Sequence, residues 1–248
     1  MAFEKSTAIV LRTVEYSESS YIVTLLTEDF GKTSAIAKGA RRRKSAFESA
    51  LDLLSICRIV FIPKPSDSLD LLTEAILEKP FRAAKRELSR FYAGLYVAEL
   101  TNSLTQDRDP TSDMFRIVRD ALDALDGEGD VSTSLLRFEM QVLHNMGNFP
   151  SLDRCVECGT YLENERRTTF GLQSGGVLCE KCKTGKRQII SMSRNALEAM
   201  RMLIDRNAKL GDYTQELKSF GEVRAVMNRY ICHVIGNRPR LYDFLGFA

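Results

Sequence analysis

The chain has no tryptophan and two histidines, His144 and His233, in 248 residues. Histidine is the commonest general base, so few positions are open to base-assisted catalysis. No Ser- or Cys-nucleophile motif stands beside either histidine, and each is read as structural. Three further patterns are missing: a Walker A loop, a Gly-x-Gly-x-x-Gly turn and a paired-carboxylate metal motif. Nucleotide hydrolysis and dinucleotide chemistry therefore have no visible seat, and the chain is read as a non-enzyme. No apolar run reaches the length that crosses a bilayer, and Met1–Lys5 lacks the layout of a signal peptide. Net charge is scarce as well, +2 from 35 basic and 33 acidic residues. Any polyanion partner must then be met by a local patch rather than by bulk charge.

Cysteine is sparse but ordered. Four of the six form Cys155-x-x-Cys158 and Cys179-x-x-Cys182, with twenty residues between the pairs. A Cys-x-x-Cys turn brings two sulfurs close enough to share one ion, and two such turns supply a tetrahedral zinc site. Gly159-Thr160 and Lys183-Thr184-Gly185 follow the pairs, as tight knuckles require. Two disulfides or a redox pair are the competing readings, but the flanks lack the strand and helix of a thioredoxin-like motif. With all four positions filled by protein, the zinc is a staple and not a catalyst. Cysteines reserved for metal suit a reducing, cytoplasmic setting. Cys57 and Cys232 lie among apolar residues and are expected in the core.

Residues 1–80 read as β. Five β-branched or apolar runs (Thr7–Thr13, Tyr21–Thr27, Thr33–Lys38, Leu54–Ile62 and Leu69–Leu77) are separated by turn signals such as Glu28-Asp29-Phe30-Gly31 and Pro63-Lys64-Pro65. Five short strands in that length predict an OB-type barrel, with an SH3-like barrel as competitor. After Pro80 the period becomes helical. A first helix is expected over Phe81–Leu104, with Leu88, Phe91, Leu95 and Ala98 on its buried stripe. A second should start at Asp109-Pro110 and run to Leu125, and a third should span Ser134–Met146. A zinc module at about 151–187 follows. Ser193 caps a fourth helix, and a fifth covers 215–235. The expected organisation is an α+β chain: a barrel over 1–80, then a helical domain over 81–248 with the zinc module inserted.

Two acid-free basic stretches stand out. Lys38-Gly39-Ala40-Arg41-Arg42-Arg43-Lys44 gathers five positive charges, although residues 1–80 balance eleven Lys/Arg against eleven Asp/Glu. Arginine forks and lysine point charges both suit phosphate, so this loop is the candidate nucleic-acid contact. Val223–Tyr242 carries Arg224, Arg229, Arg238 and Arg240 on a partly apolar helix. It is a possible partner or DNA surface, suited to an acidic peptide ending in apolar residues. A solvated charge run, or cations at a helix C-terminus, is the plainer reading of each.

The run Phe138–Gly159 joins a Leu- and Glu-containing helix to Gly-x-x-Pro-x-Leu-x-x-Cys-x-x-Cys-Gly. Together with Ala35–Arg41, it resembles the RecO family of bacterial recombination mediators, over essentially the whole chain. The resemblance implies an N-terminal OB barrel, a helical domain with a zinc module, and no catalytic centre. It implies binding to single- and double-stranded DNA, annealing of complementary strands, and help in loading recombinase onto strands coated by single-strand-binding protein. Implied partners are RecR and the acidic, Phe-ended tail of single-strand-binding protein, and the implied place is the cytoplasm, at the nucleoid. Leu241-Tyr242-Asp243-Phe244-Leu245 departs from the more basic tail common in that family. The reading from a different class is a zinc-ribbon adaptor that binds protein and no nucleic acid.

Overall fold

The computed structural model describes residues 3–42, 45–47, 49–65, 68–110, 113–162, 166–203 and 219–247. The chain divides into two compact units, 1–131 and 132–248.

The first unit is built on a closed five-stranded barrel in the order β1-β2-β3-β5-β4. Its strands are β1 (Glu4–Ser17), β2 (Ser20–Thr27), β3 (Gly31–Ala37), β4 (Ile56–Ile62) and β5 (Asp70–Lys79). All neighbours are antiparallel except β3 and β5, which run parallel from Ala35↔Asp70 to Ala37↔Leu72. Pairing of β1 with β4 closes the ring and removes the free edges. This is the OB-type barrel expected. Its interior is narrow, and small side chains fill it: Ala8, Ala35, Ala37, Cys57 and Ala75 alternate with Val10, Val23, Leu25, Ile59 and Leu72, all nearly sealed from solvent. Irregularities in β1 between Val10 and Arg12, and between Glu15 and Ser17, bend that long strand around the ring.

Two helices complete this unit, α1 (Leu88–Leu104) and α2 (Met114–Asp126). They start later than the periodicity suggests, for tertiary reasons. The Asp126 carboxylate accepts the amides of Arg82 and Ala83, at 2.9 and 2.6 Å, which holds residues 83–85 in a separate 3₁₀ turn before α1. Asp109-Pro110 does not open α2. The Arg108 amide donates to the Lys32 carbonyl at 2.8 Å, laying that segment along the start of β3. Gly31 permits this twice over. Its φ is +67°, and a Cβ there would meet the Asp109 carbonyl oxygen at 2.2 Å. The buried Lys32 ammonium donates to the carbonyls of Asn102 (3.0 Å) and Thr105 (2.7 Å) at the C-terminal end of α1, where a cation is favoured. The buried face of α1 is Ala93, Tyr96, Val97 and Leu100; of the expected stripe Ala98 is buried, Phe91 and Leu95 are partly covered, and Leu88 is exposed. That helix is apolar on most sides, so periodicity alone could not choose its face.

The second unit contains α3 (Val131–Asn145, whose first residue belongs to the other unit), a small sheet ordered β7-β6-β8, and helices α4 to α6. The strands are β6 (Arg167–Gly171), β7 (Gly176–Leu178) and β8 (Ile189–Ser193). The helices are α4 (Arg194–Leu203), α5 (Phe220–Ile235) and α6 (Tyr242–Leu245). The expected insertion between the third and fourth helices is present. Its strands are an addition to the sequence reading, being too short to announce themselves by alternation. Ser193 caps α4 as expected: its hydroxyl accepts the Ala196 amide at 3.2 Å. The expected start of the fifth helix, at 215, lies outside the described residues. Phe170 meets Tyr230 edge to face at 5.4 Å, and the Tyr230 hydroxyl donates to the Asn148 carbonyl at 2.9 Å. Sheet and α5 thus share one core. Among the described residues no helix is long and apolar enough to cross a membrane.

Candidate metal centre and basic surfaces

The two knuckles form as local hydrogen-bonding demands. The Gly159 amide donates to the Cys155 carbonyl at 2.8 Å and the Lys183 amide to the Cys179 carbonyl at 3.0 Å. Gly159 and Gly185 then leave each turn in the left-handed region, at φ +72° and +76°. The turns face each other, and the sulfurs of Cys155, Cys158, Cys179 and Cys182 all lie within 4.8 Å of one another. All are free thiols. Cys155 is buried and Cys158 is exposed. The Thr160 hydroxyl and amide lower the Cys158 thiol to about 6. The sulfurs of Cys179 and Cys158 push Cys182 up to about 12. Burial raises Cys155, but amides of Cys179, Cys158 and Glu157 outweigh it and leave the thiol below its ordinary value. Packed thiolates repel, so one sulfur keeps its proton unless a cation replaces it. The donor set therefore suits a metal ion. The remaining cysteines differ from each other. Cys57 is sealed in the barrel and raised to about 12 by burial. Cys232 is only half-buried and is corrected from core residue to groove wall.

The basic loop leaves β3 at one rim of the barrel. Lys38, Arg41 and Arg42 are exposed there, and Arg43 and Lys44 lie outside the described residues. Gly39 takes φ +77°, and a Cβ would meet nothing closer than 3.7 Å, so its role is the turn and not close approach. The three described cations are not equivalent. Arg41 is tied down: its guanidinium pairs with Glu15 at 3.1 Å, donates to the Ser17 carbonyl at 3.2 Å and stands 5.8 Å from the centre of the Tyr21 ring. Lys38 and Arg42 have no ion pair among the described residues.

The carboxy-terminal arginines separate further. Arg224 is corrected from surface cation to buried one. It reaches both carboxylate oxygens of the fully buried Glu139, at 2.6 and 2.8 Å, beneath the Phe247 ring at 4.2 Å. Removed from water, that guanidinium needs a buried acid, and Glu139 supplies it from 85 residues earlier. Arg229 is exposed, as are Arg238 and Arg240. Arg238 pairs with Asp243 at 2.5 Å and donates to the Phe247 carbonyl at 3.0 Å. Arg229, Arg238 and His233 line a groove of about 700 Å³ together with Ile189, Ile190 and Cys232. Among the described residues no acidic one lines it. Sequence reasoning missed its Ile189-Ile190 wall; the only signal was an apolar pair just ahead of the capping Ser193.

The family model described as "Recombination protein O N terminal" matches residues 1–81, and "Recombination protein O C terminal" matches residues 85–242. A protein described as "DNA repair protein RecO", from Rhodopirellula baltica, is 41% identical, with 96% of this chain and 97% of that protein covered. Proteins of the same description from Myxococcus xanthus and Symbiobacterium thermophilum are each 32% identical. They cover 96% and 99% of this chain, and 95% and 97% of their own lengths.

Proposed function

The chain belongs to the RecO family of DNA repair proteins, and from that premise we propose that it works by binding and annealing single strands rather than by catalysis. It then assists recombinase loading onto strands coated by single-strand-binding protein, with RecR as partner. The observation that carries this reading is the barrel rim, where Lys38 and Arg42 stand exposed and unpaired among the described residues. Arg41 is beside them, and Arg43 and Lys44 follow in sequence. Two complementary strands repel through their phosphates. A cationic surface that binds both, releasing their counterions, lowers that repulsion and raises their local concentration. No bond is made or broken, so the scarcity of histidine is no obstacle. Single strands are the main ligand, and duplex meets the same charges less closely.

The metal is zinc, one per chain, held by Cys155, Cys158, Cys179 and Cys182. A tetrahedron with Zn–S near ~2.3 Å has an edge of about 3.8 Å. The Cys158–Cys179 sulfur separation of 3.8 Å matches it. A closed four-thiolate site fixes structure and leaves no position for substrate. The groove beside α5 suits the acidic, Phe-ended tail of single-strand-binding protein. Arg229 and Arg238 would meet its carboxylates, and Ile189 and Ile190 its terminal ring. The working division is the barrel, 1–80, for DNA and the remainder, 81–248, for partners.

Annealing of complementary oligonucleotides tests the proposal, with and without single-strand-binding protein. The wild type should accelerate both reactions. Lys38→Ala/Arg42→Ala should lose acceleration of the naked strands. Undiminished annealing by that variant would remove the rim from the site.

A further inference from the structure

Beside Arg42 the barrel rim opens into a cleft of about 540 Å³, within the size range of small-ligand sites. Its chemistry is bipolar. The half-buried Tyr21 ring, the buried Phe47 and Leu51 and the exposed lip residue Leu53 make an apolar wall. Arg42 and Asp52 also line the cleft. They do not pair with each other, and neither has another ion-pair partner among the described residues. A guanidinium and a carboxylate without an ion pair among the described residues, set around an aromatic wall, match the three parts of a nucleotide: phosphate, base edge and base face. Arginine holds phosphate by its planar fork. A carboxylate accepts from base amino groups. Any base stacks on an aromatic ring, whatever the sequence.

Resting on the DNA-binding reading above, we infer that this cleft receives one unstacked nucleotide of a single strand, with its base against Tyr21 and its phosphate on Arg42. Asp52 accepts from the amino edge of the base. A base inside a duplex is already stacked and paired and cannot enter without being flipped out. The cleft therefore makes the rim sense unpaired bases, where the loop cations alone sense only phosphate. Arg41, fixed by Glu15 near the Tyr21 ring, keeps the wall in place.

The test compares two labelled strands of equal length and charge, one with bases and one abasic, by fluorescence anisotropy on the full chain. The wild type should bind the strand with bases at least about 5-fold more tightly, the lower end of one base–aromatic stack. Tyr21→Ala should bring the two strands to equal affinity. Should that variant fail to fold, Leu53→Glu at the exposed lip carries the same expectation. Tyr21→Trp, the sole tryptophan of the chain, should be quenched by the strand with bases and not by the abasic one. Equal wild-type binding of both strands would overturn the cleft while leaving the phosphate grip standing. Binding of neither strand in dilute buffer would instead defeat the DNA-binding reading and the cleft with it. Displacement of the strand by equimolar mononucleotide would also contradict the inference, since a lone unit lacks the neighbouring phosphate contacts.

Discussion

The barrel and the cysteine module solve the same problem by opposite means. The barrel closes on itself: each strand is hydrogen-bonded on both sides, and a core of alanine, valine, leucine and isoleucine fills the interior. The module at 151–187 has strands of only five and three residues, β6 and β7. Its buried apolar residues are few, chiefly Leu152, Phe170, Val177 and Leu178. Single backbone bonds, such as Val156 to Val177 at 3.0 Å and Val177 to Ser151 at 2.9 Å, hold it between the knuckles. A segment that buries so little apolar surface cannot offset its own ordering entropy, and under the reading proposed above metal–thiolate bonds at the four clustered cysteines would take the place of a core. The regions also differ in their cations. Those at the barrel rim are partly free, while the carboxy-terminal ones are largely spoken for.

The comparison breaks most visibly by removing the metal. Structural zinc sites contribute on the order of 10–16 kcal/mol of apparent binding energy. Chelation, or Cys155→Ser, should therefore abolish hydrogen-exchange protection at the Val156 and Val177 amides and leave Ala8–Val10 protected. Equal loss in both regions would end the contrast. Acid should act in the same direction. Metal ligation needs deprotonated thiols, so protons compete with the ion for the four cysteine sulfurs as the pH falls. A colorimetric zinc indicator should therefore register release on acidification and none on raising the pH.

A smaller effect sharpens the second contrast. Arg224→Leu removes the guanidinium partner of the buried Glu139 carboxylate and should cost about 3–5 kcal/mol in urea unfolding. Arg224→Leu/Glu139→Leu should recover most of that loss, whereas additive losses would show that the two act separately. Smallest is the groove. Asp243→Asn releases Arg238 from an exposed pair worth about 0.2–1 kcal/mol. An acidic peptide ending in phenylalanine should then bind about 1.5- to 5-fold more tightly, and Arg238→Ala should weaken it. Indifference to both variants would move the peptide elsewhere.

What could be read from the sequence followed how local each signal is. The cysteine knuckles were legible because ligand spacing and the following glycines are contained in a few residues. The barrel strands were legible because β-branched runs alternate between turn residues. Helix starts were not, since Asp126 fixes the turn before α1 and the Lys32 carbonyl draws 108–110 away from α2. The two basic stretches looked alike because a window empty of acid says nothing of acids folded in from outside. Glu139 reaches Arg224 from far upstream, and Asp243 stands one residue beyond the window that held Arg238. Glu15 separates Arg41 from Arg42 in the same way. The cleft at Tyr21 joins β2 to the 40–53 segment, a proximity that only the closed barrel creates.

The most direct measurement is the salt dependence of single-strand binding by the wild type, Arg41→Ala and Lys38→Ala/Arg42→Ala. Each free cation that neutralises a phosphate contributes about 0.7 to the slope of log K against log salt. The double variant should therefore flatten the slope by about 1.4, and Arg41→Ala, already neutralised by Glu15, by distinctly less. An unchanged slope in the double variant would contradict the claim that the barrel rim grips phosphate. No binding even in dilute buffer would leave a zinc-stapled adaptor in place of a DNA-binding protein.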